Sequence, residues 1–510
     1  MLVGFMGAGK STGARALAAE LGVEARDSDR ELEARLGEPI ESYFDREGEA
    51  AFRAREEELV LELLGAAAPS GAGARAAPGV VALGGGAVGS ERVRAALAAH
   101  TVVLLEVGVE EAWRRASLVR GRPLARDRGR FEALHAERTA LYESVADAVV
   151  PPVERESLRR LGPALLALRE APAGTRLIWA SSESGDYPVF LGHGLIGERG
   201  FFFPREGRRF VVTDEQVARV QPFEGEARAV IAPGEQHKTL ACAERVLSEL
   251  ARAGAERNDL VVAVGGGVVG DLAGFCAALY QRGTRWVGVP TTLVAQVDSA
   301  YGGKTGVDLP EGKNYAGAYH QPAAVLCDPA ALATLPEREL AAGYVEVVKT
   351  ALIAGGALWA RVRAGAGPDR RVIEGCIRTK LAVVAADERD SGRRQVLNLG
   401  HTIGHAIEAA TGYRRYRHGE AVGIGLLAAL RLSGREALRT EVAELLSARG
   451  LPLAFDSASV DDVLALVARD KKRRDGRVPF VLVSAPGEVS PGHELEPAEL
   501  RAAVEEAHAG

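Results

Sequence analysis

The chain has 510 residues, too many for a single hydrophobic core, so we expect two to four domains. Hydrophobic residues make up 47% and charged residues 26%, as in ordinary globular proteins. The net charge of −6 argues against general electrostatic binding of nucleic acid. The four cysteines form no CxxC pair, so neither a disulfide framework nor a cysteine zinc knuckle is predicted. We expect a cytoplasmic protein that binds no membrane, because the sequence contains neither a signal-peptide pattern nor an apolar run long enough to span a bilayer.

A phosphate-binding motif follows the first predicted strand, Met1–Phe5. Residues 4–11, with the sequence GFMGAGKS, satisfy the pattern GxxxxGK[ST], and residues 12–21 have the helical character that this motif requires. Backbone N–H groups of such a loop wrap a phosphate, Lys10 can reach the terminal phosphates, and the Ser11 hydroxyl can ligate magnesium. The pattern predicts a nucleoside triphosphate but does not identify the acceptor. The alternative is a glycine-rich turn without a ligand.

Charged residues further along suggest the acceptor. Asp27 and Asp29 follow a second predicted strand, so both carboxylates can point into one cleft. A glycine turn at residues 84–86 ends another predicted strand, where a small ligand can approach the backbone. Arginine suits a bidentate grip on carboxylate or phosphate, although a single arginine is more often a solvated surface residue. The candidate arginines are Arg53, Arg115, Arg122 and Arg138.

Together with the P-loop, these residues resemble shikimate kinase over essentially all of residues 1–165. The resemblance implies a P-loop kinase domain, with a parallel sheet and flanking helices, that phosphorylates shikimate with ATP and Mg²⁺. Asp29 would orient or deprotonate the nucleophile, Lys10 would act at the phosphates, and Arg122 would close over the transferring phosphate from a lid. The resemblance assigns ATP and metal to Gly7, Gly9, Lys10, Ser11, Thr12, Asp27 and Arg115, and shikimate to Asp29, Arg53, Gly84, Gly85, Gly86 and Arg138.

One departure from the family concerns the start of the chain. Only three residues precede the first glycine of the P-loop, so the first strand is shorter than the family usually has. We expect either a slightly destabilised domain or a true start further upstream.

Composition predicts the domain boundaries. Residues 149–175 contain a Pro-Pro pair, a helical stretch and an Ala-Pro-Ala-Gly segment, which is typical of a domain end followed by a short linker. Strand-like runs alternate with glycine-rich turns up to about residue 330, after which helical periodicity dominates. We predict a first domain at 1–165, a linker at 166–175, an α/β domain at 176–330 and a helical domain at 331–510.

The second predicted domain contains a glycine loop that enters a helix. Residues 264–271, with the sequence VGGGVVGD, follow a predicted strand, and a dinucleotide pyrophosphate can bind at such a place. The loop does not match GxGxxG, so alone it is a weak signal. Asp214 ends an earlier strand and can accept a ribose hydroxyl. Further distinctive segments are PGEQHK at 233–238, PTTL at 290–293, QVDS at 296–299, GGKT at 302–305 and GKN at 312–314.

Three of the ten histidines fall within eighteen residues. His401 and His405 are spaced i, i+4, which places them on one face of a helix, and His418 follows. Imidazole nitrogens, a carboxylate such as Glu346 and an open position make up a catalytic zinc site. Spacing alone favours His401 and His405 as the ligand pair. The alternative is that these buried histidines only form hydrogen bonds.

Residues 176–510 resemble 3-dehydroquinate synthase. The resemblance implies a Rossmann-like α/β domain, an all-helical metal-binding domain and a homodimer formed through the synthase part. It assigns Zn²⁺, or Co²⁺, to Glu346, His401 and His418, and puts His405 beside the substrate, where it is the reserve ligand. It assigns NAD to Asp214, Glu235, Lys238, Gly266, Gly267, Val268, Asp271, Thr291, Thr292, Asp298, Lys304 and Lys313.

The implied synthase reaction converts 3-deoxy-D-arabino-heptulosonate 7-phosphate into 3-dehydroquinate and phosphate. NAD would be used catalytically, zinc would polarise a ring oxygen, and the substrate's own phosphate could act as base. One lysine of Asp470-Lys471-Lys472 would contact the substrate. Catalytic positions are Lys304, Lys349, Arg394 and His405, and further substrate positions are Arg282, Asn314, Lys380 and Asn398.

The two resemblances predict a fused enzyme of aromatic amino acid and chorismate biosynthesis whose two reactions are not adjacent steps. One alternative is a metal-dependent polyol dehydrogenase or another sugar-phosphate cyclase on the same C-terminal architecture. Lys304, Lys380 and Arg394 favour the synthase, and the cyclase stays open as an alternative. The other alternative is that one half is a non-catalytic module. The intact Lys10 and Asp29 argue against that for the kinase half.

Overall fold

The computed structural model describes residues 1–67, 79–118, 127–197, 201–468 and 478–509. The chain forms two compact units, one of Met1–Ser181 with Asp186–Phe190 and the other of Ser182–Gly185 with Leu191–Gly510. Three predicted site residues, Arg122, Lys471 and Lys472, lie outside the described residues. Among the described residues, no helix combines the length and the apolar character that crossing a bilayer requires.

A parallel sheet forms the centre of the first unit. Its order is β2-β3-β1-β4-β5-β6-β7, and the pairs from β2 to β6 are parallel. Although β1 is only two residues long, it pairs with both β3 and β4, so it holds a central position. The strands are Leu2–Val3 (β1), Ala25–Asp27 (β2), Val80–Ala82 (β3), Val103–Leu105 (β4), Ala148–Val150 (β5), Arg176–Ser182 (β6) and Gly185–Leu191 (β7).

Helices cover this sheet and bury apolar side chains from both β1 and β3. The third helix breaks at Gly48, whose φ of 85° is not helical. The seventh helix continues to Leu168, so it includes the start of the predicted linker. The helices are Lys10–Leu21 (α1), Ser28–Leu36 (α2), Ile40–Ala67 (α3), Glu91–Leu97 (α4), Val109–Ser117 (α5), Arg128–Val145 (α6) and Arg155–Leu168 (α7).

The second unit also contains a parallel sheet, of order β14-β11-β10-β8-β9. Strand β10 is buried along its whole length, as its unbroken apolar run predicts for a strand covered on both faces. Two antiparallel hairpins, β12-β13 and β15-β16, complete the strands. The strands are Arg209–Asp214 (β8), Ala227–Ile231 (β9), Leu260–Gly265 (β10), Arg285–Pro290 (β11), Lys304–Leu309 (β12), Gly312–Tyr319 (β13), Ala324–Cys327 (β14), Phe480–Ala485 (β15) and Glu488–His493 (β16).

The strand order creates a switch point between β8 and β10. The chain moves from β8 outward to β9 and then returns to the other side of β8 to form β10. Loops that leave the carboxyl ends of β8 and β10 therefore run in opposite directions and leave a crevice, which is where ligands bind in open parallel sheets.

Helices dominate the second unit after β14. A one-turn π-helix at Ala295–Ser299 precedes β12, and such turns are frequent at functional sites. The helices are Val217–Val220 (α8), Leu240–Arg252 (α9), Gly267–Leu279 (α10), Glu337–Ala354 (α11), Gly356–Arg363 (α12), Arg370–Ala386 (α13), His401–Ala410 (α14), His418–Leu432 (α15), Glu436–Ser447 (α16), Val460–Val467 (α17) and Pro497–Glu506 (α18).

The cysteines yield a first prediction. All four are buried thiols, and burial raises the pKa of both Cys276 and Cys327 to about 12. Because the thiolate is the reactive form, we expect the native protein to react slowly with Ellman's reagent and the denatured protein to release four equivalents. A rapid burst of even one equivalent from the native protein would contradict this arrangement.

Candidate functional sites

The first unit contains a cavity of about 640 Å³ at the P-loop. Gly7 and Gly9 there have φ values of 86° and 84°, a left-handed backbone that strains residues with a Cβ. Gly9 also precedes α1, and the N–H groups and dipole at the start of a helix favour an anion. The ammonium group of Lys10 donates to the carbonyl oxygens of Gly4 (2.8 Å) and Phe5 (3.2 Å). Loop, helix end and ammonium group together form a site for phosphates.

Other predicted nucleotide residues lie at the same cavity. Ser11 and Thr12 line it from the first turn of α1. Arg115 of α5 donates through Nη1 to the carbonyl oxygen of Gly7 at 2.8 Å. Its Nε pairs with Glu111. The structure therefore places Arg115 against the P-loop, 108 residues away in sequence.

Asp27 and Asp29 both line the cavity but have different surroundings. Asp27 precedes α2, and its Oδ1 accepts hydrogen bonds from the backbone N–H groups of Asp29 (3.1 Å) and Arg30 (3.3 Å). Burial raises the pKa of Asp29 to about 6, and the nearby Glu56 adds to the increase, while Lys10 opposes it. Asp29 is therefore a carboxyl group that can accept a proton near neutral pH.

The glycine turn after β3 packs directly against two arginines. Arg138 is buried in α6 and donates to the carbonyl oxygen of Gly85 at 3.1 Å. A Cβ at Gly86 would overlap the guanidinium group of Arg53. Both guanidinium groups line the cavity together with Gly85 and Gly86, so they can grip one carboxylate there.

Sequence reasoning missed Glu56. This carboxylate is 4% exposed and lies 2.5 Å from Nη1 of Arg53, one helical turn away. A Cβ at Gly84 would overlap Glu56 and crowd Asp29. The i, i+3 spacing of Arg53 and Glu56 was the signal that could have revealed the pair, because these positions face each other on a helix.

A second site lies at the switch point of the second unit. Asp214 ends β8, and its carboxylate accepts hydrogen bonds from the N–H groups of two following residues. Gly266 and Gly267 lead from β10 into α10, whose first turn contains Val268. A Cβ at Gly266 would lie 2.9 Å from the methyl carbon of Thr292, and one at Gly267 would lie 3.1 Å from Oγ of Ser299. A side chain at either glycine would therefore have to displace Thr292 or Ser299.

Three buried hydroxyl groups around this loop have no hydrogen-bond partner. They belong to Thr213, Thr291 and Ser299. Thr213 pairs in register with Val264 of β10, and the N–H group of Thr291 donates to the carbonyl oxygen of Gly265 at 3.0 Å. Buried hydroxyls are usually satisfied, so unpaired ones at a glycine loop suit a polar ligand.

Buried ion pairs connect the next group of predicted residues. Lys238 is 2% exposed, and its ammonium nitrogen lies 2.9 Å from Glu235, 3.1 Å from Asp271 and 2.8 Å from the amide oxygen of Asn314. Burial lowers the pKa of Lys238, but the surrounding carboxylates outweigh burial and raise it. Lys313 extends the network because it lies 3.8 Å from Glu235.

The predicted metal residues meet where α11, α14 and α15 pack together. Ring nitrogens of His401, His405 and His418 all lie within 4.8 Å of one another. Oε1 of Glu346 lies 3.5 Å from Nε2 of His401 and 3.7 Å from Nε2 of His418, and it is buried without a hydrogen-bond donor. The pair that spacing favours, His401 and His405, therefore lies in the same cluster as Glu346 and His418, which the resemblance adds.

Hydrogen bonds orient two of these rings. Nδ1 of His401 lies 3.0 Å from the carbonyl oxygen of Leu399, and Nδ1 of His418 lies 3.1 Å from Oε2 of Glu408. Both rings therefore turn Nε2 toward Glu346, as ligation by Nε2 requires. Burial, with Lys349 nearby, holds the pKa of His401 well below its usual value, so this ring is the neutral form that binds metals. Glu408 was not predicted from the sequence.

Glycines explain how these helices come close enough. A Cβ at Gly425 of α15 would overlap the carbonyl oxygen of Gly400, which begins α14. A Cβ at Gly419 would overlap the carbonyl oxygen of Ala342 in α11. Contact between backbones thus brings His401, His418 and Glu346 together.

The predicted cations of the second unit are paired with acids or carbonyls. Lys349 is 1% exposed and lies 2.5 Å from Glu346. Lys380 lies 2.5 Å from Asp298, and burial lowers the pKa of Lys380 to about 8.

Lys304 pairs with Asp390 at 2.5 Å, and Arg394 donates to the carbonyl oxygens of Glu388 and Gly302. Asn398 ends the turn that leads into α14.

Arg282 is not brought to this group. It lies before the amino end of β11, whereas Thr291 and Thr292 follow the carboxyl end of that strand. Strand β11 has six residues and is about 20 Å long, beyond the reach of a side chain. Gln281 and Arg282 both adopt positive φ values, 46° and 64°, and Arg282 is exposed.

Comparisons with known proteins identify two families along the chain. Residues 228–342 match the N-terminal and residues 343–473 the C-terminal family model of 3-dehydroquinate synthase. The 3-dehydroquinate synthase of Nitrobacter winogradskyi is 43% identical over 351 residues, which cover 62% of this chain and 91% of that protein. The chain belongs to the 3-dehydroquinate synthase family. Residues 6–160 match the family model of shikimate kinase, so a kinase domain precedes the synthase.

Solved structures of two other synthases share the fold of the synthase part. A 2-deoxy-scyllo-inosose synthase complexed with carbaglucose-6-phosphate, NAD⁺ and Co²⁺ has a TM-score of 0.58 and 24% identity, over 65% of this chain and all of that one. A 2-epi-5-epi-valiolone synthase from Streptomyces hygroscopicus, with NAD⁺ and Zn²⁺ bound, has a TM-score of 0.56 and 26% identity, over 63% of this chain and 96% of that one. The predicted α/β class and the fused kinase and synthase are confirmed.

The helix packing yields a second prediction. We expect Gly425→Ala to lower the melting temperature and the zinc content of the protein, since overlap with the backbone of Gly400 costs about 1–3 kcal/mol. Gly423→Ala on the same helix is the matched control, because its Cβ would only contact side chains, at 3.4 Å. Thermal unfolding and metal analysis of both variants test this, and equal behaviour of the two would contradict it.

Proposed function

We propose that the chain catalyses two reactions of the shikimate pathway at separate sites. The first unit phosphorylates shikimate with ATP, and the second converts 3-deoxy-D-arabino-heptulosonate 7-phosphate into 3-dehydroquinate and phosphate. The observation that carries the synthase proposal is the carboxylate of Glu346 facing Nε2 of both His401 and His418, within the unit that has the dinucleotide crevice.

The residues at the kinase site fit ATP and Mg²⁺. Gly7, Gly9 and Lys10 would hold the phosphates, and the oxygens of Ser11 and Asp27 are suitable magnesium ligands. These groups lie in one cavity at the start of α1, and the start of a helix favours an anion. Bound Mg²⁺ would supply charge neutralisation at the phosphates.

The acceptor side of the same cavity fits shikimate. Arg53 and Arg138 would bind its carboxylate in a bidentate manner, and the turn at Gly85 and Gly86 would lie against the ring. Asp29 would accept the proton of the attacking hydroxyl group, a role that its raised pKa supports.

The second unit fits a divalent metal ion with an open position. Two imidazoles and one carboxylate form the donor set of a catalytic zinc site, and Oε1 of Glu346 is a buried acceptor without a donor. The same donors would hold Co²⁺. We assign Glu346, His401 and His418 as ligands and His405 to the substrate side, with His405 as the reserve ligand. When bound, the ion would supply Lewis acidity.

The crevice fits NAD. The unpaired hydroxyls of Thr213, Thr291 and Ser299 would donate to its polar groups, and the start of α10 would face its pyrophosphate. We assign the other predicted NAD residues to the same site. Bound NAD would supply reversible oxidation of the substrate.

The chain's own cations would then hold the substrate. Lys304, Lys349, Lys380 and Arg394 would bind its phosphate and carboxylate, as several converging cations suit a dianion. In the described structure each of these side chains has an anionic or carbonyl partner, so substrate binding would exchange one set of ion pairs for another. Asn314 and Asn398 would add neutral hydrogen bonds.

We propose a homodimer formed through the synthase part, supported by the position of Arg282. Its guanidinium group is too far from the site of its own chain, so a site that uses Arg282 would take it from a second copy. The exposed, left-handed backbone at Gln281 and Arg282 presents the side chain outward, as such a contact needs.

The third prediction separates the two activities. We expect His401→Ala to abolish metal content and synthase turnover while kinase turnover stays within about twofold, because independent sites do not couple. Lys10→Ala should do the reverse. Phosphate release from the heptulosonate phosphate with Zn²⁺ and trace NAD measures one activity, and shikimate-dependent ADP formation measures the other. Loss of both activities from either single change would contradict two independent sites.

The fourth prediction tests Arg282. We expect Arg282→Ala and His401→Ala chains to be inactive as synthases when alone, but to regain about a quarter of the wild-type activity when coexpressed, since half of the dimers then contain one intact site. Coexpressed chains that both carry Arg282→Ala are the control. Absence of recovery in a proven mixed dimer would contradict a shared site.

A further inference from the structure

We propose that Glu408 is a positioning residue that couples the metal site to the dinucleotide site. This inference rests on the proposed synthase function. One oxygen of Glu408 contacts a proposed metal ligand, His418, and the other contacts Lys313, a residue of the dinucleotide network. A change at either site therefore reaches the other through a single carboxylate.

The geometry places Glu408 between two defined partners. Its Oε2 lies 3.1 Å from Nδ1 of His418, and its Oε1 lies 3.0 Å from the ammonium nitrogen of Lys313. Glu408 itself is 2% exposed. Burial of a carboxylate is unfavourable unless hydrogen bonds or cations compensate it, so both contacts are expected to be maintained.

The contact to His418 determines which ring nitrogen faces the metal cluster. A carboxylate at Nδ1 keeps the proton there and leaves the lone pair on Nε2, which points toward Glu346. The ring of His401 obtains the same orientation from the carbonyl oxygen of Leu399. Of these two rings, therefore, only that of His418 is held by a side chain that also contacts the dinucleotide network.

The contact to Lys313 extends the connection toward the crevice. Lys313 lies 3.8 Å from Glu235, which lies 2.9 Å from Lys238. The ammonium group of Lys313 also lies 4.6 Å from the ring centre of Tyr413, just after α14. Lys313 is thus confined between two acids and an aromatic ring, and loss of the Glu408 charge would release it from one side.

The test uses the full chain with Glu408→Gln, which keeps the shape of the side chain but removes its charge. We expect zinc affinity to fall about 10- to 100-fold, as for other partners of metal-bound histidines. We expect NAD affinity to fall by about fivefold or more, the lower range of typical coupling between sites. The visible spectrum of the Co²⁺ form should also shift, which a loss of stability alone would not cause. Kinase turnover of the same chain should be unchanged.

Glu420→Gln is the matched control. Glu420 is 5% exposed and two residues from His418, but it bonds the backbone of Arg417 and the side chain of Arg338 instead. We expect this variant to lose stability and to keep its affinities for zinc and NAD. Equal losses of affinity in both variants, or a Glu408→Gln protein that keeps zinc affinity, NAD affinity or the Co²⁺ spectrum, would overturn the proposal.

A second measurement needs no variant. If the two sites are coupled, the wild-type protein treated with a chelator should bind NAD more weakly than the zinc-loaded protein, and NAD should strengthen zinc binding by the same factor. Equal NAD affinity with and without zinc would overturn the coupling. A wild-type protein that binds neither zinc nor NAD would instead refute the proposed synthase function itself.

Discussion

Contact between helix backbones in the second unit is the constraint on which its metal cluster depends. Helix α15 touches α11 at Gly419 and the start of α14 at Gly425, and neither position has room for a Cβ. The resulting closeness brings residues from three helices, 72 positions apart from Glu346 to His418, within reach of one ion. Hydrogen bonds then orient the rings of His401 and His418. The rings would not reach a common ion if the helices were further apart.

The first unit solves a similar problem with glycines in turns. The P-loop has left-handed backbone at Gly7 and Gly9, and the guanidinium group of Arg53 occupies the space that a Cβ at Gly86 would fill. In both units, therefore, the chemistry lies where a missing Cβ lets a charged side chain or a backbone approach closely.

The features predictable from the sequence were those with local spacing. The P-loop pattern and the cluster of three histidines were found because each lies in a short segment, and several strands followed from apolar runs that end in glycine. The parallel sheet of the first unit came from the resemblance. Glu346 lies 55 residues before His401. Its residue type made it only a candidate metal ligand, and the resemblance supplied the assignment.

Features that depend on tertiary partners were not predictable in the same way. Glu408 looked like an ordinary acid near the end of an amphipathic helix, and only its burial between His418 and Lys313 distinguishes it. The placement of Arg282 at the opposite end of β11 also required the bounds of that strand. Charged residues carry little information about their partners until the fold brings them together.

The glycines of α15 have a consequence for how this protein folds. Gly419, Gly423 and Gly425 together lower the intrinsic helix propensity of the segment by about 3 kcal/mol relative to alanine. As an isolated peptide the segment would be mostly unstructured, so it becomes a helix only on the surfaces of α11 and α14. The place for the metal therefore forms only as α15 packs against α11 and α14, so folding of this segment and metal binding favour each other.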